Sequence, residues 1–145
     1  MSHSLELIEK PHAVVRQIIN RSLNDFNRAS LMPDLQIEDL AVVIRDETSR
    51  EILGGLWGHT SWDWLAIELV FVPEHLRGQG MAGRLIALAE EEALRRGCHS
   101  AWLDTLSSKA LSLCERLGYS RFGELKDFPV GGNRYFLQKK LRNGA

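Results

Sequence analysis

The stretch Phe71–Gly97, "FVPEHLRGQGMAGRLIALAEEEALRRG", decides how the rest of the chain is read. Gly78-x-Gly80-x-x-Gly83 has the spacing of a dinucleotide-binding turn, and Asp104 follows where that fold places an acidic ribose ligand. The surroundings argue against this reading. In a dinucleotide fold the strand runs directly into the first glycine, whereas here Pro73-Glu-His-Leu-Arg77 intervenes. After Asp104 only a short helix and a hairpin follow, too little for the rest of a doubly wound sheet. A Walker loop, GxxxxGK[ST], is absent from the sequence. Read from Arg77 instead, Arg77-x-x-Gly80-x-Ala82 stands at the mouth of a long amphipathic helix. Small residues there let an anion approach closely spaced backbone N–H groups, favoured by the helix dipole and by the Arg77 charge. Such a pyrophosphate cradle needs no metal. The same residues also suit an ordinary tight turn that caps a helix, so the loop by itself leaves both open. Asp104 reads better as a strand-end or capping residue than as a ligand.

Working outward, 145 residues fit one domain, taken as 1–145, and 44% hydrophobic with 26% charged residues supports a real core. A formal net charge of −1 gives no field for nucleic acid or a membrane surface. "KKLR" at Lys139–Arg142 reads as a solvated end. No apolar run approaches the roughly 18 residues of a membrane span, and the N-terminus lacks the basic start and apolar core of a signal peptide. Cys98 and Cys114 form neither a CxxC nor a metal spacing, and the five histidines are scattered. The expectation is a cytoplasmic protein without metal or disulfide.

Leu5–Glu9 alternates like a short first strand. Val15, Ile18, Ile19, Leu23 and Phe26 then recur at helical spacing, which predicts a helix with one buried face. "LAVVIRD" and "ILGGLWGHT" flank a polar turn and predict a hairpin. Trp64–Val72, "WLAIELVFV", is almost continuously apolar, as in a central strand covered on both faces. A helix over Gly80–Arg96, the strand "SAWLDT", a helix within "SSKALSLCERLG" and a final hairpin complete the order. This is an α/β (α+β) chain, with helices flanking a mixed, mostly antiparallel sheet.

Two motifs in this order carry a family resemblance. "VPEHLRGQGMAGRLI" resembles the acetyl-CoA loop of the GNAT superfamily, whose [R/Q]-x-x-G-x-[G/A] falls on Arg77, Gly80 and Ala82, with a strand valine at Val72. "CERLGY", Cys114–Tyr119, resembles that family's Y-E-K-L-G-[FY] segment. "LDTLSSKALSLCERLGY" and "FGELKDFP" are similar to a group of small bacterial GNAT proteins. The resemblance runs from Leu5 to Leu141. It implies the GNAT acyl-CoA N-acyltransferase fold, acetyl-CoA as co-substrate, a homodimer, and acetyl transfer to a primary amine of a small molecule or peptide by direct attack in a ternary complex. The alternative from another class is a non-catalytic acyl-CoA-binding or sensor protein.

The resemblance also assigns positions. Coenzyme A binding falls on Val70 and Val72 of the strand and on Arg77, Gly78, Gln79, Gly80, Ala82 and Gly83 of the loop. Ser107 stands where the family has a contacting asparagine. A strand N–H near Val70 would polarise the thioester oxygen. Glu68, set among Ile67, Leu69 and Val70, is the candidate base or relay, since partial desolvation would make its carboxylate a better proton acceptor; otherwise it is a surface or ion-paired glutamate. Cys114 replaces the family's tyrosine, the leaving-group acid. A thiol titrates near about 8.5 against about 10 for tyrosine and could donate, or Cys114 is a small buried hydrophobe and water acts. Trp57, His59 and Trp64, with Phe26 and Asn27 ending the first helix, are acceptor-site candidates, although the tryptophans equally suit sheet packing.

Overall fold

The alternation of the predicted hairpins is what builds the sheet. The computed structural model describes residues 2–33 and 35–142, divided into two compact units, Met1–Leu35 and Gln36–Ala145.

The first unit holds α1, Ala13–Ser30. The His12 side chain caps it, its Nδ1 accepting from the Val14 N–H at 3.1 Å. At the far end the Asn27 carbonyl accepts from the Leu31 and Met32 N–H groups. Two expectations differ here. Leu5–Glu9 forms no strand, and Leu5 is fully exposed; a strand needs a partner ladder for its backbone groups, and this unit supplies none among its described residues. The stripe of α1 is not buried either, with Ile18, Ile19 and Phe26 exposed. The rest of the unit is an irregular segment, too little to cover a helix face.

The second unit carries β1 (Glu38–Arg45), β2 (Ile52–Ser61), β3 (Trp64–Phe71), α2 (Met81–Arg95), β4 (Ser100–Thr105), α3 (Ser108–Arg116), β5 (Ser120–Lys126) and β6 (Asn133–Lys140). Their spatial order is β1-β2-β3-β4-β6-β5. Every neighbouring pair is antiparallel except β3 with β4, and a parallel pair requires the crossover that α2 provides. Leu85, Ile86, Ala89 and Ala93 form the buried stripe of α2, packed over β1–β3. Ala89 and Ala93 are fully buried, and their small side chains let the helix sit close to the sheet. Leu65, Leu103, Leu111 and Leu137 complete one core cluster.

Partly buried polar groups fasten α2 at two places. Arg96, at its C-terminal end, bonds Glu92 at 2.8 Å, the Glu38 and Asp39 carbonyls at 3.1 Å each and Thr60 Oγ1 at 3.0 Å. Midway, Glu90 accepts from the Tyr119 hydroxyl at 2.7 Å and from Lys139 Nζ at 3.0 Å. Burial, then the Glu90 charge and hydrogen bond, push the Tyr119 phenol far above its ordinary range.

Candidate active site

The central strand does not stay covered along its length. β3 pairs with β4 only through Trp64–Ser100, Leu65–Ala101 and Ala66–Trp102. Leu65, Ala66 and Ile67 are buried, whereas Glu68 to Phe71 are exposed. Past Ala66 the two strands part, and the β3 edge facing β4 presents main-chain groups with no strand partner. The uniform apolar pattern predicted cover on both faces throughout; from Glu68 to Phe71 the strand is exposed instead.

The other edge of β3 carries a bulge. Trp57 pairs with Leu69 and the next residue, Gly58, pairs with Ile67, so Glu68 is the extra residue. The bulge keeps Glu68 on the face that also carries Trp57 and His59. There Glu68 Oε2 lies 3.0 Å from His59 Nδ1, the two side chains 46% and 31% exposed. The partial desolvation expected of Glu68 is therefore not found; the carboxylate stands in the open beside an imidazole. Beyond Trp57 and Leu69 the same face forms an apolar hollow of about 520 Å³, floored by Val43, Gly55 and Phe71.

Past β3, the Val72 carbonyl accepts from Arg77 Nε at 2.8 Å, and the guanidinium lies 5.8 Å over the Phe71 ring. Arg77 thus clasps the strand end. Gly78 and Gly80 have φ of 77° and 75°, the left-handed region glycine adopts without strain, and open space lies where a Cβ would stand. Gly80 is the N-cap of α2 and carries no side-chain cap. The first N–H groups of α2, through Met81, Ala82 and Gly83, lack intrahelical acceptors, and no other backbone acceptor takes them among the described residues. Gln79 stands between the two left-handed glycines. Val72 packs partly into the core while Val70 is 41% exposed. Donors, dipole, space and Arg77 together fit the diphosphate of an acyl-CoA.

The other residues singled out in the sequence take different surroundings. Ser107 is the N-cap of α3, its Oγ accepting from the Ala110 N–H at 3.2 Å and its own N–H donating to Thr105 Oγ1. Cys114 lies in the core at 5% exposure. Burial, and then the Glu115 charge, push its thiol upward, which makes it a poorer proton donor. Trp64 meets His99 edge-on at 5.7 Å, at the paired start of β3. Phe26 and Asn27 occupy the last turn of α1 in the first unit. Asp104 is held by Arg134 at 2.6–2.7 Å, a strand-end ion pair.

Sequence reasoning missed the bulge and the His59–Glu68 contact. One signal was present: Gly58 stands inside a strand, where glycine often marks a bulge or close backbone approach. A Cβ on Gly58 would lie 2.5 Å from the Ala66 carbonyl oxygen.

Residues 13–119 match the acetyltransferase (GNAT) family. The chain is 44% identical over 103 residues to acetyltransferase Atu2258 of Agrobacterium fabrum, covering 71% of this chain and 74% of that protein. It is 37% identical over 92 residues to the blasticidin-S acetyltransferase of Streptomyces morookaense, covering 63% and 68%. The crystal structure of an acetyltransferase from Agrobacterium tumefaciens superposes with a TM-score of 0.89 at 37% identity, over 95% of this chain and 99% of that one.

Proposed function

The chain belongs to the acetyltransferase (GNAT) family and is an acyltransferase, and from that premise we propose that it transfers acetyl from acetyl-CoA to a primary amine of a small molecule or peptide. One observation carries the reading: strands β3 and β4 part where a bulge sets Glu68 beside His59, and the same β3 runs on into the glycine loop that opens α2. Both units belong to one catalytic domain in this reading, since the family match spans them.

The loop N–H groups of Gly80 to Gly83 hold the diphosphate, with Arg77, Gly78 and Gln79 shaping the turn. The free edge of β3 near Val70 and Val72 bonds the amide-bearing arm as an added strand would, and a strand N–H there polarises the thioester oxygen. Acetyl-CoA supplies an activated carbonyl, so the protein need only hold it and the amine together; no covalent enzyme intermediate is required. The Glu68–His59 pair takes the proton released by the amine. Cys114 serves packing and Ser107 caps α3, so the departing thiolate takes its proton from water. The exposed hollow beside Trp57 receives the apolar body of the acceptor.

Thermal denaturation tests the cofactor. Acetyl-CoA at a hundred times its Kd should stabilise the protein by about 2.7 kcal/mol, and NAD(H) should do nothing; the reverse result sinks the reading. Product mass against an amine panel that includes blasticidin S, a substrate named for a relative, tests the acceptor. Arg77→Ala combined with Gly80→Asp should abolish the acetyl-CoA shift. A cytoplasmic homodimer completes the proposal, checked by sedimentation of the full chain.

A further inference from the structure

Within the Glu68–His59 pair, we infer that the proton-accepting atom is Nε2 of His59, and that Glu68 is the positioning residue that holds the ring. This rests on the acetyl transfer proposed above. The geometry sets the roles. An ionised carboxylate only accepts hydrogen bonds, so a 3.0 Å contact between Glu68 Oε2 and His59 Nδ1 requires the proton on Nδ1. A neutral imidazole carries one N–H, which leaves the lone pair on Nε2. Among the described residues no other group bonds the ring. Imidazole is also the better base near neutral pH: an ordinary carboxylate titrates near about 4.3 and an ordinary imidazole near about 6.5.

The backbone supports the same division. His59 lies on β2, opposite Ala66, the last β3 residue paired with β4. Its ring therefore stands level with the point where the strands part. Glu68 is brought to it by the bulge, from the strand edge beyond that point. The charged groups facing His59 are Glu68 from β3 and Asp39 from β1, its partner in the β1–β2 register. Of these only Glu68 bonds the ring. Glu68 fixes the tautomer and stabilises the imidazolium that forms, without itself taking the proton, as a carboxylate behind a histidine does elsewhere.

The step balances. The amine nitrogen bonds to the thioester carbonyl carbon as the carbon–sulfur bond breaks. The N–H proton passes to His59 Nε2 and then to water, and the thiolate of coenzyme A takes one proton from solvent. The products are the acetamide and the free thiol.

The test combines imidazole ¹⁵N spectra with kinetics on the full chain. In the wild type and in Asp39→Asn, His59 should carry its proton on Nδ1, and Glu68→Gln should mix the tautomers. A wild-type proton on Nε2 overturns the assignment whatever the enzyme does. His59→Gln should lower kcat about 10²–10⁴-fold and remove the acidic limb of its pH profile, with the acetyl-CoA melting shift intact. Glu68→Gln should lower kcat about 10²-fold, as misplacement does. If His59→Gln keeps the wild-type rate and limb while Glu68→Gln loses both, Glu68 is the base and the inference fails, but acetyl transfer stands. If the wild type acetylates no amine, the transfer reading fails, and the pair's catalytic role with it.

Discussion

Gly58→Ala probes the feature on which the site depends. A Cβ at this position would lie 2.5 Å from the Ala66 carbonyl oxygen and 3.5 Å from the Ile67 Cα. Contacts under 3.0 Å are essentially never tolerated, so β2 and β3 must move apart by at least about 0.5 Å. The obstruction is backbone, held by the ladder on both sides, and cannot swing away as a side-chain end would. Overpacking of this kind costs about 1–3 kcal/mol. At roughly 2–4 °C per kcal/mol for a protein of this size, the melting temperature should fall by about 2–12 °C. The same separation acts on the bulge, because Gly58 and Trp57 are the β2 residues that bracket it. The 3.0 Å His59–Glu68 contact should lengthen, and kcat should fall about 10²-fold. Acetyl-CoA should still raise the melting temperature, since the α2 loop keeps its own backbone. Gly123→Ala, in β5 and away from the site, is the control. Its Cβ meets Phe136 Cβ at an ordinary 3.7 Å, and glycine to alanine within a strand changes stability by about 0.5–1 kcal/mol in the favourable direction. A Gly58→Ala protein that melts and turns over like the wild type would refute the bulge register and the argument built on it.

Other outcomes follow from the same contacts. Gly80→Ala forces a side chain into φ of 75°; it should cost about 1–2 kcal/mol and weaken the acetyl-CoA melting shift, both read from one thermal series. Tyr119→Phe deletes the hydroxyl that donates to Glu90 at 2.7 Å and should lower the urea-unfolding free energy by about 1–3 kcal/mol. Hydrogen bonds from Arg95, and then from Arg96, hold Glu92 at about 2, below its ordinary 4.5. A carboxyl depressed on folding stabilises fully above its unfolded value and loses that contribution as pH falls through the folded one. Glu92→Gln should therefore be less stable than the wild type at pH 7, and the gap should close between about pH 4.5 and 2. A gap that stays constant over that range would mean the Arg95 and Arg96 contacts contribute nothing in solution.

Local chemistry was readable directly. The α2 stripe of Leu85, Ile86, Ala89 and Ala93 announces a helix packed on one side, and Arg77, Gly80 and Ala82 describe an anion turn within six residues of chain. The strands at Ser100–Thr105 and Ile52–Ser61 follow from alternation and flanking turns. Each of these depends on near neighbours, which is where periodicity and backbone preference act. The expectation for Leu5–Glu9 failed for the complementary reason: five alternating residues make a strand only when another strand lies beside them, and none does among the described residues of their own unit.

What only the tertiary structure decided was which residues meet. Glu68 reads in the sequence either as a partly desolvated carboxylate or as a surface or ion-paired one; the fold makes it an exposed carboxylate beside His59. His59 is nine positions away, and only a register with one residue inserted brings its ring to the carboxylate. The resemblance leads one to expect a leaving-group acid at Cys114 and a coenzyme contact at Ser107, yet the first faces the core and the second caps α3. Periodicity specifies the face a residue takes on its own element. The partner across the sheet is set by strand register and by where two strands separate, and those depend on the whole sheet closing around its core.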